Sequence, residues 1–246
     1  MNNTLSIYRL ILLLKNYKVI HVQSWVITTL IIFGTLLILT TLISKSNYIN
    51  ILYSKLFHWG LIVCGSLIAS YSFKGMQNDT QKSAFLLIPA SAFEKTLAPL
   101  IISFIIFPLF FTLSMVLGTF FIEAFTFLVS KKVAFFNPLN EPLANIIPQW
   151  LVFQSAYFLG ATWFSKHNLL KTSFTLCILI IGFMFFTRFA INILIPSIHS
   201  GIGFQSFTHL LTDNHAIYYS GTILLTITCW SLAWLRIKEA DVNHGI

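Results

Sequence analysis

Charged side chains are scarce in this chain, and that scarcity limits what the chain can fold into. Only 9% of the 246 residues are Asp, Glu, Lys or Arg, whereas 57% are apolar. A soluble domain carries roughly 25% charged residues, because its surface must be solvated by water. The composition therefore argues against a soluble enzyme, a disordered segment and a secreted disulfide scaffold. It predicts a membrane protein whose apolar residues face lipid as well as each other.

Six apolar stretches are each long enough to cross a bilayer, for which a helix needs about 17 residues or more. We predict an all-α polytopic membrane protein with six transmembrane helices in a single transmembrane domain, residues 1–246. The predicted spans cover residues of about 22–43, 51–71, 92–129, 145–164, 172–195 and 216–235. Polar residues interrupt the second and the fourth span: Lys55, His58, Gln149 and Gln154.

The basic residues predict how these spans are oriented. Loops on one side of the predicted membrane hold ten Lys and Arg residues, and loops on the other side hold four. Because cytoplasmic loops carry the excess of Lys and Arg, the first side is predicted to be cytoplasmic, together with both termini. The net charge of +8 then indicates orientation, and no nucleic-acid partner is expected.

The residues before the first span predict a helix at the membrane surface. Apolar residues in the stretch 4–21 are interrupted by Arg9, Lys15 and Lys18. We predict an interfacial helix on the inner leaflet, with its basic residues near anionic lipid. A frayed leader segment is the alternative.

The connection between the second and third spans predicts a short helix outside the bilayer. Asn78 or Asp79 can cap this helix at its start. The helix has to end by Ile88, because Pro89 disfavours helical geometry in the residue before it. Such a short helix is not stable alone and needs a partner surface.

The third span begins with a recognisable helix start. Ser91 is followed three residues later by Glu94, the spacing of a capping box, so we predict that Ser91 and Glu94 form the N-cap of a helix beginning at Ala92. From Ala92 to Val129 the helix would be about 57 Å long, against a bilayer core of about 30 Å. It should project into the cytoplasm, or bend at Pro99 or Pro108.

This layout resembles the membrane subunit of a bacterial ABC-2 type exporter. The segment from Leu86 to Lys95, which reads LLIPASAFEK, is similar to a stretch that recurs in permeases of this family and size. The resemblance implies a half-transporter in the bacterial cytoplasmic (inner) membrane. It would pair with a second permease subunit, identical or different, and dock a separate ATPase subunit. The short helix between spans two and three would be the coupling helix, with these ATPase-docking residues: Asp79, Thr80, Gln81, Lys82, Ser83, Ala84, Phe85 and Leu86.

The chain lacks the sequence motifs of an ATPase or a hydrolase. A P-loop requires a Gly-Lys dipeptide to hold nucleotide phosphates, and the sequence contains none. It has no HExxH or GxSxG motif either. We therefore expect no enzyme activity, no cofactor and no metal, with ATP hydrolysis on the partner subunit. The alternative is a non-transport membrane protein, such as an immunity, sensor or assembly factor. An intramembrane enzyme is disfavoured because the catalytic residues are missing.

Two charged residues lie deep in the predicted spans. Glu123 is about 9 Å and Arg188 about 12 Å from the outer ends of spans three and five. Charges inside a membrane are costly and usually face protein or water, often in pairs. We predict that Glu123 and Arg188 pair or line an outer cavity together. The alternative is that each side chain reaches the headgroups separately.

The connection between the fifth and sixth spans leaves two interpretations open. Residues 196–215 contain one acidic residue, Asp213, and keep several apolar ones. A re-entrant hairpin fits this composition, provided that protein or water satisfies its backbone. An ordinary external loop fits it equally. The histidines of this segment match no metal-binding spacing.

Overall fold

The computed structural model describes residues 8–15, 27, 31, 34–35, 49–73, 90–130, 137–138, 143–164, 167–194 and 215–243. Within these segments the chain is helical and contains no strand. We number the helices α1 to α7, with one π-helical turn between α3 and α4. Their bounds are residues 8–15 (α1), Ile49–Tyr71 (α2), Ala92–Ile101 (α3), Ile102–Ile106 (π turn), Phe107–Ser130 (α4), Leu143–Trp163 (α5), Asn168–Leu194 (α6) and His215–Asn243 (α7).

With α3, the π turn and α4 taken as one continuous helix, the helices from α2 to α7 run alternately in opposite directions. At one end, Tyr53 near the start of α2 contacts Glu123 near the end of α4. At the other end, Phe73 after α2 packs against Phe158 near the end of α5. We call these the Tyr53 end and the Ser91 end, because Ser91 precedes α3 at the second. Asn168 begins α6 at the Ser91 end and donates a hydrogen bond to the backbone carbonyl of Ser70.

Helix α5 is central in the described part of the bundle. It packs most extensively against α7 and α2, and it also packs against α6. Large apolar side chains fill the space towards the Tyr53 end, among them Phe57, Phe107 and Phe111. Small residues bring the helices together towards the Ser91 end, where Ala69, Ala161 and Ala233 are buried in one cluster.

Four helical segments are long and apolar enough to cross a membrane. Within the described residues these are Ile51–Tyr71, Ala92–Ala124, Asn168–Phe186 and Tyr218–Ala240. They correspond to the predicted spans two, three, five and six. The first predicted span, residues 22–43, lies almost wholly outside the described residues.

Helix α5 occupies the position of the fourth predicted span but is not among these four segments. The physical reason is its polar residues, which lower its hydropathy and include Gln154 and Ser155, both fully buried. A central helix can carry such residues because it faces other helices as well as lipid.

The outer surface of the bundle is apolar, most of all on α6. Phe185 is 72% exposed and Leu179 is 62% exposed. Soluble monomers rarely show apolar patches of this extent, whereas a surface in contact with lipid requires them. The surface therefore agrees with the composition in indicating a multi-pass membrane protein.

Candidate functional site

A polar group lies in the middle of the bundle, where α5 faces the π turn. The side-chain amide nitrogen of Gln154 donates a hydrogen bond to Ser103 Oγ over 3.0 Å, and both side chains are fully buried. Ser103 belongs to the π turn, and its own hydroxyl donates to the carbonyl of Leu100. A hydrogen bond between helices in an apolar environment holds them in one register.

Two tryptophans complete this group. The ring of Phe104 stacks on Trp150 with centroids 5.5 Å apart and meets Trp230 edge-on at 5.1 Å. Gln154 and Trp150 are one helical turn apart and share a face of α5. We call Ser103, Trp150, Gln154 and Trp230 the polar centre.

Three atoms of the polar centre have no hydrogen-bond partner among the described residues. They are the amide oxygen of Gln154 and the indole nitrogens of Trp150 and Trp230. A buried acceptor or donor without a partner costs about 1–3 kcal/mol. Such groups in a well-packed core call for an explanation.

The π turn that carries Ser103 lies between two prolines, Pro99 and Pro108. A proline in a regular α-helix lacks an N–H, and its ring clashes with the carbonyl four residues earlier. For Pro108 that carbonyl belongs to Phe104. The wider π turn, in which the N–H of Phe107 bonds to the carbonyl of Ile102, relieves this conflict. The helix thus continues from Ala92 to Ser130 with a local irregularity instead of a break.

Glu123, the first of the two charges predicted to lie deep in the spans, is buried in the structure. It is 3% exposed and its carboxylate accepts a hydrogen bond of 2.7 Å from the hydroxyl of Tyr53. Tyr53 is itself fully buried. This contact ties the start of α2 to the last part of α4. No sequence pattern singles out Tyr53, which is 70 residues from Glu123 along the chain.

Arg188 lies in a different environment from Glu123. Its side chain is exposed on α6, a helix whose surface is open along most of its length. The contacts described for Glu123 link it to α2, and none brings it to Arg188. Their pairing stays a prediction. A charge swap, Glu123→Arg with Arg188→Glu, tests it: pairing requires the double variant to be more stable than either single variant.

The predicted capping box is present at the start of α3, where residues 91–94 read SAFE. Ser91 Oγ accepts a hydrogen bond of 3.2 Å from the N–H of Glu94, and the Glu94 carboxylate accepts one of 2.9 Å from the N–H of Ser91. Glu94 is fully buried. Arg9 of α1 lies 3.9 Å from the second carboxylate oxygen of Glu94.

Helix α1 corresponds to part of the predicted interfacial helix. Its Leu13 is buried against Ala90 and Ala98 at the start of α3. Its opposite side exposes apolar residues, with Tyr8 at 72% and Ile11 at 56%. A helix with one apolar side on protein and another uncovered fits a position at a lipid surface.

The predicted docking residues, Asp79 to Leu86, lie outside the described residues. The same holds for the short helix predicted there and for most of the connection from 196 to 215. The described chain resumes at Ala90, directly before the capped start of α3.

Comparison with models of protein families, with curated proteins and with solved structures finds no match for this chain. The resemblance to ABC-2 permeases therefore stays a prediction from the sequence.

Gln154 and Ser103 form a second buried polar pair that the sequence does not predict. In the sequence, Gln154 only interrupts an apolar stretch. Its position in the middle of a span is nevertheless a signal, because a glutamine there needs a partner on another helix. The identity of that partner depends on packing between residues that are 51 positions apart.

Proposed function

We propose that this chain is the membrane-spanning permease subunit of an ATP-driven exporter of the ABC-2 type, energised by a separate ATPase subunit. The observation that carries the proposal is the way in which the start of α3 is held by its N-cap and by α1. Residues 79–88, the proposed coupling helix, lead into a helix start whose cap, Ser91 and Glu94, is also bound by Arg9 of α1. Because these contacts hold the start of α3 in place, a movement of the preceding connection can be transmitted to the long helix that follows.

The proposed permease has six spans. Helix α4 ends at the Tyr53 end, and α6 begins at the Ser91 end. Helix α5 connects these two ends, so it has to cross the same thickness as its neighbours although it is less apolar. Residues 22–43 would supply the remaining span at the start of the chain.

The distribution of charge supports a cytoplasmic Ser91 end, and with it cytoplasmic termini. Six basic residues of the described segments lie towards this end: Arg9, Lys15, Lys95, Lys171, Arg236 and Lys238. Lys55 lies towards the Tyr53 end, and Arg188 lies within α6. Such an asymmetry is typical of the cytoplasmic side of a bacterial inner membrane protein.

The decisive experiment is purification of the tagged chain in a mild detergent from its native host. We expect a P-loop ATPase to co-purify, and native mass spectrometry should show two permease subunits with two ATPase subunits. The variant Lys82→Glu in the proposed coupling helix should lose the ATPase. The matched control is Lys132→Glu, which lies in a loop on the opposite side of the predicted membrane and should retain it.

The alternative is a non-transport membrane protein, such as an immunity, sensor or assembly factor. It predicts a chain that purifies without an ATPase. If the purified protein never contains a P-loop ATPase although its helices remain folded, the transporter proposal is wrong.

A further inference from the structure

Arg236 of α7 and Trp163 of α5 form a contact between two helices at the Ser91 end. The guanidinium carbon of Arg236 lies over the Trp163 ring, 5.4 Å from its centre, which is the geometry of a cation–π interaction. Trp163 is the last residue of α5 and is 58% exposed. The side chain of Arg236 is 47% exposed. The contact therefore lies on the outer surface of the bundle.

The lengths of the two helices put this contact near the lipid headgroups. Helix α5 has 21 residues and is about 31 Å long, which is close to the thickness of a hydrocarbon core of about 30 Å. Its last residue, Trp163, therefore lies at one membrane surface. Arg236 lies four residues before the end of the apolar segment Tyr218–Ala240 of α7. Tryptophan is enriched at this depth, because its ring is apolar and its N–H is polar.

The guanidinium of Arg236 has donors left for a ligand. It has five N–H donors in one plane, and a ring that lies over its face occupies none of them. Within the described segments, its one hydrogen bond runs from Nη1 to the carboxylate of Glu239 over 3.3 Å. An exposed ion pair of this kind contributes little, so a stronger acceptor can replace Glu239. Phosphate oxygens are such acceptors, because arginine can bind two of them at once.

An apolar strip continues from Arg236 towards the middle of α7. Leu232 and Leu225 lie one and three helical turns before Arg236, on the same face of the helix. Leu232 is 46% exposed and Leu225 is 42% exposed. The face thus presents a cation at headgroup depth and apolar side chains below it, which matches the order of groups in a phospholipid.

We propose that Arg236, held against Trp163, binds the phosphate of an anionic phospholipid whose acyl chain lies along Leu232 and Leu225. An anionic headgroup is preferred over a zwitterionic one, because a choline group would bring a second positive charge next to the guanidinium. The site depends on the membrane location of the chain. It depends neither on the proposed transport function nor on which end faces the cytoplasm.

Native mass spectrometry of the full chain tests the proposal by titrating the purified protein with phosphatidylglycerol. We expect Arg236→Gln to weaken the apparent affinity several-fold. The matched control is Lys238→Gln, which removes the same charge at the same end. Lys238 also lies over a tryptophan ring, that of Trp234 at 5.4 Å, but two residues from Arg236 it points to the opposite side of α7. The control should keep the wild-type affinity. Equal losses in the two variants would indicate general attraction to anionic lipid and overturn the proposal.

Two comparisons on the wild-type chain require no variant. Phosphatidylcholine should bind several-fold more weakly than phosphatidylglycerol, and equal affinities would overturn the proposal. Millimolar inorganic phosphate should leave the phosphatidylglycerol bound, whereas its displacement would identify a soluble phosphate as the ligand and also overturn the proposal.

A further variant, Trp163→Leu, tests the role of the ring that holds the guanidinium. It should weaken phosphatidylglycerol binding as well. Its matched control is Trp59→Leu, since Trp59 is 60% exposed but lies in the middle of α2. Equal binding by the two tryptophan variants would contradict the role of Trp163.

Discussion

Helices α5 and α6 come close together at Gly160 of α5. Thr172 of α6 packs against it, and a Cβ at position 160 would lie 2.6 Å from Thr172 Cγ2 and closer still to Oγ1. Thr172 is buried and its hydroxyl donates to the carbonyl of Asn168, so it has little freedom to move. Glycine at this position lets the two backbones come together, which is a common device between membrane helices.

We expect Gly160→Ala to destabilise the protein by about 1–3 kcal/mol, as overpacking of a tight core does. The thermal unfolding midpoint of the purified protein in detergent measures this effect. Gly182→Ala on α6 is the matched control, because nothing lies within 4 Å of a Cβ there. The double variant Gly160→Ala, Thr172→Ala should recover most of the loss. A midpoint for Gly160→Ala at or above that of Gly182→Ala would contradict the prediction.

The hydrogen bond between Tyr53 and Glu123 makes a second prediction at the residue scale. Tyr53→Phe should destabilise the protein by about 1.5–3 kcal/mol, the range for a hydrogen bond to a charged group. The loss should be smaller in a Glu123→Gln background, because the partner is then neutral. Unfolding midpoints of the four proteins complete a double-mutant cycle. Equal losses in the two backgrounds would show that Tyr53 acts through packing alone.

At the scale of elements, the start of a helix can be predicted from residues a few positions apart. The π turn inside the third span was not predictable in the same way. The cap at Ser91 involves residues three positions apart, and it was predicted from the sequence. The sequence predicted that the long third span either projects into the cytoplasm or bends at Pro99 or Pro108. It did not specify a π turn, and it did not indicate that Ser103 in this turn accepts a hydrogen bond from Gln154 of α5.

We expect Ser91→Ala to weaken the start of α3 by about 1 kcal/mol, the typical value of an N-cap side chain. Hydrogen–deuterium exchange of the amides in the first turn, residues 92–95, measures the loss as faster exchange. Ser91→Thr retains the hydroxyl and is the control, with exchange close to that of the wild type. If the alanine and threonine variants exchange at the same rate, the cap does not stabilise the helix start.

At the scale of the whole molecule, the charge asymmetry predicts which end faces the cytoplasm. In a background without Cys64, Cys177 and Cys229, Asn137→Cys should react with a membrane-impermeant maleimide on intact cells. Glu239→Cys, whose side chain is 65% exposed at the Ser91 end, should react only after the cells are permeabilised. Mass spectrometry of the labelled protein provides the measurement. The opposite pattern would reverse the orientation.

The apolar stretches, the helical class and the capped start of α3 were predictable from the sequence by itself, because they follow from exclusion of charge from lipid and from chemistry within a few residues. Only the tertiary structure decided which apolar residues face protein, since lipid and protein interior are both apolar. It also decided the partners of polar residues. Glu123 is bonded to Tyr53, and Gln154 reaches Ser103 across 51 positions of sequence. Those contacts depend on how distant helices pack, and no local pattern encodes that.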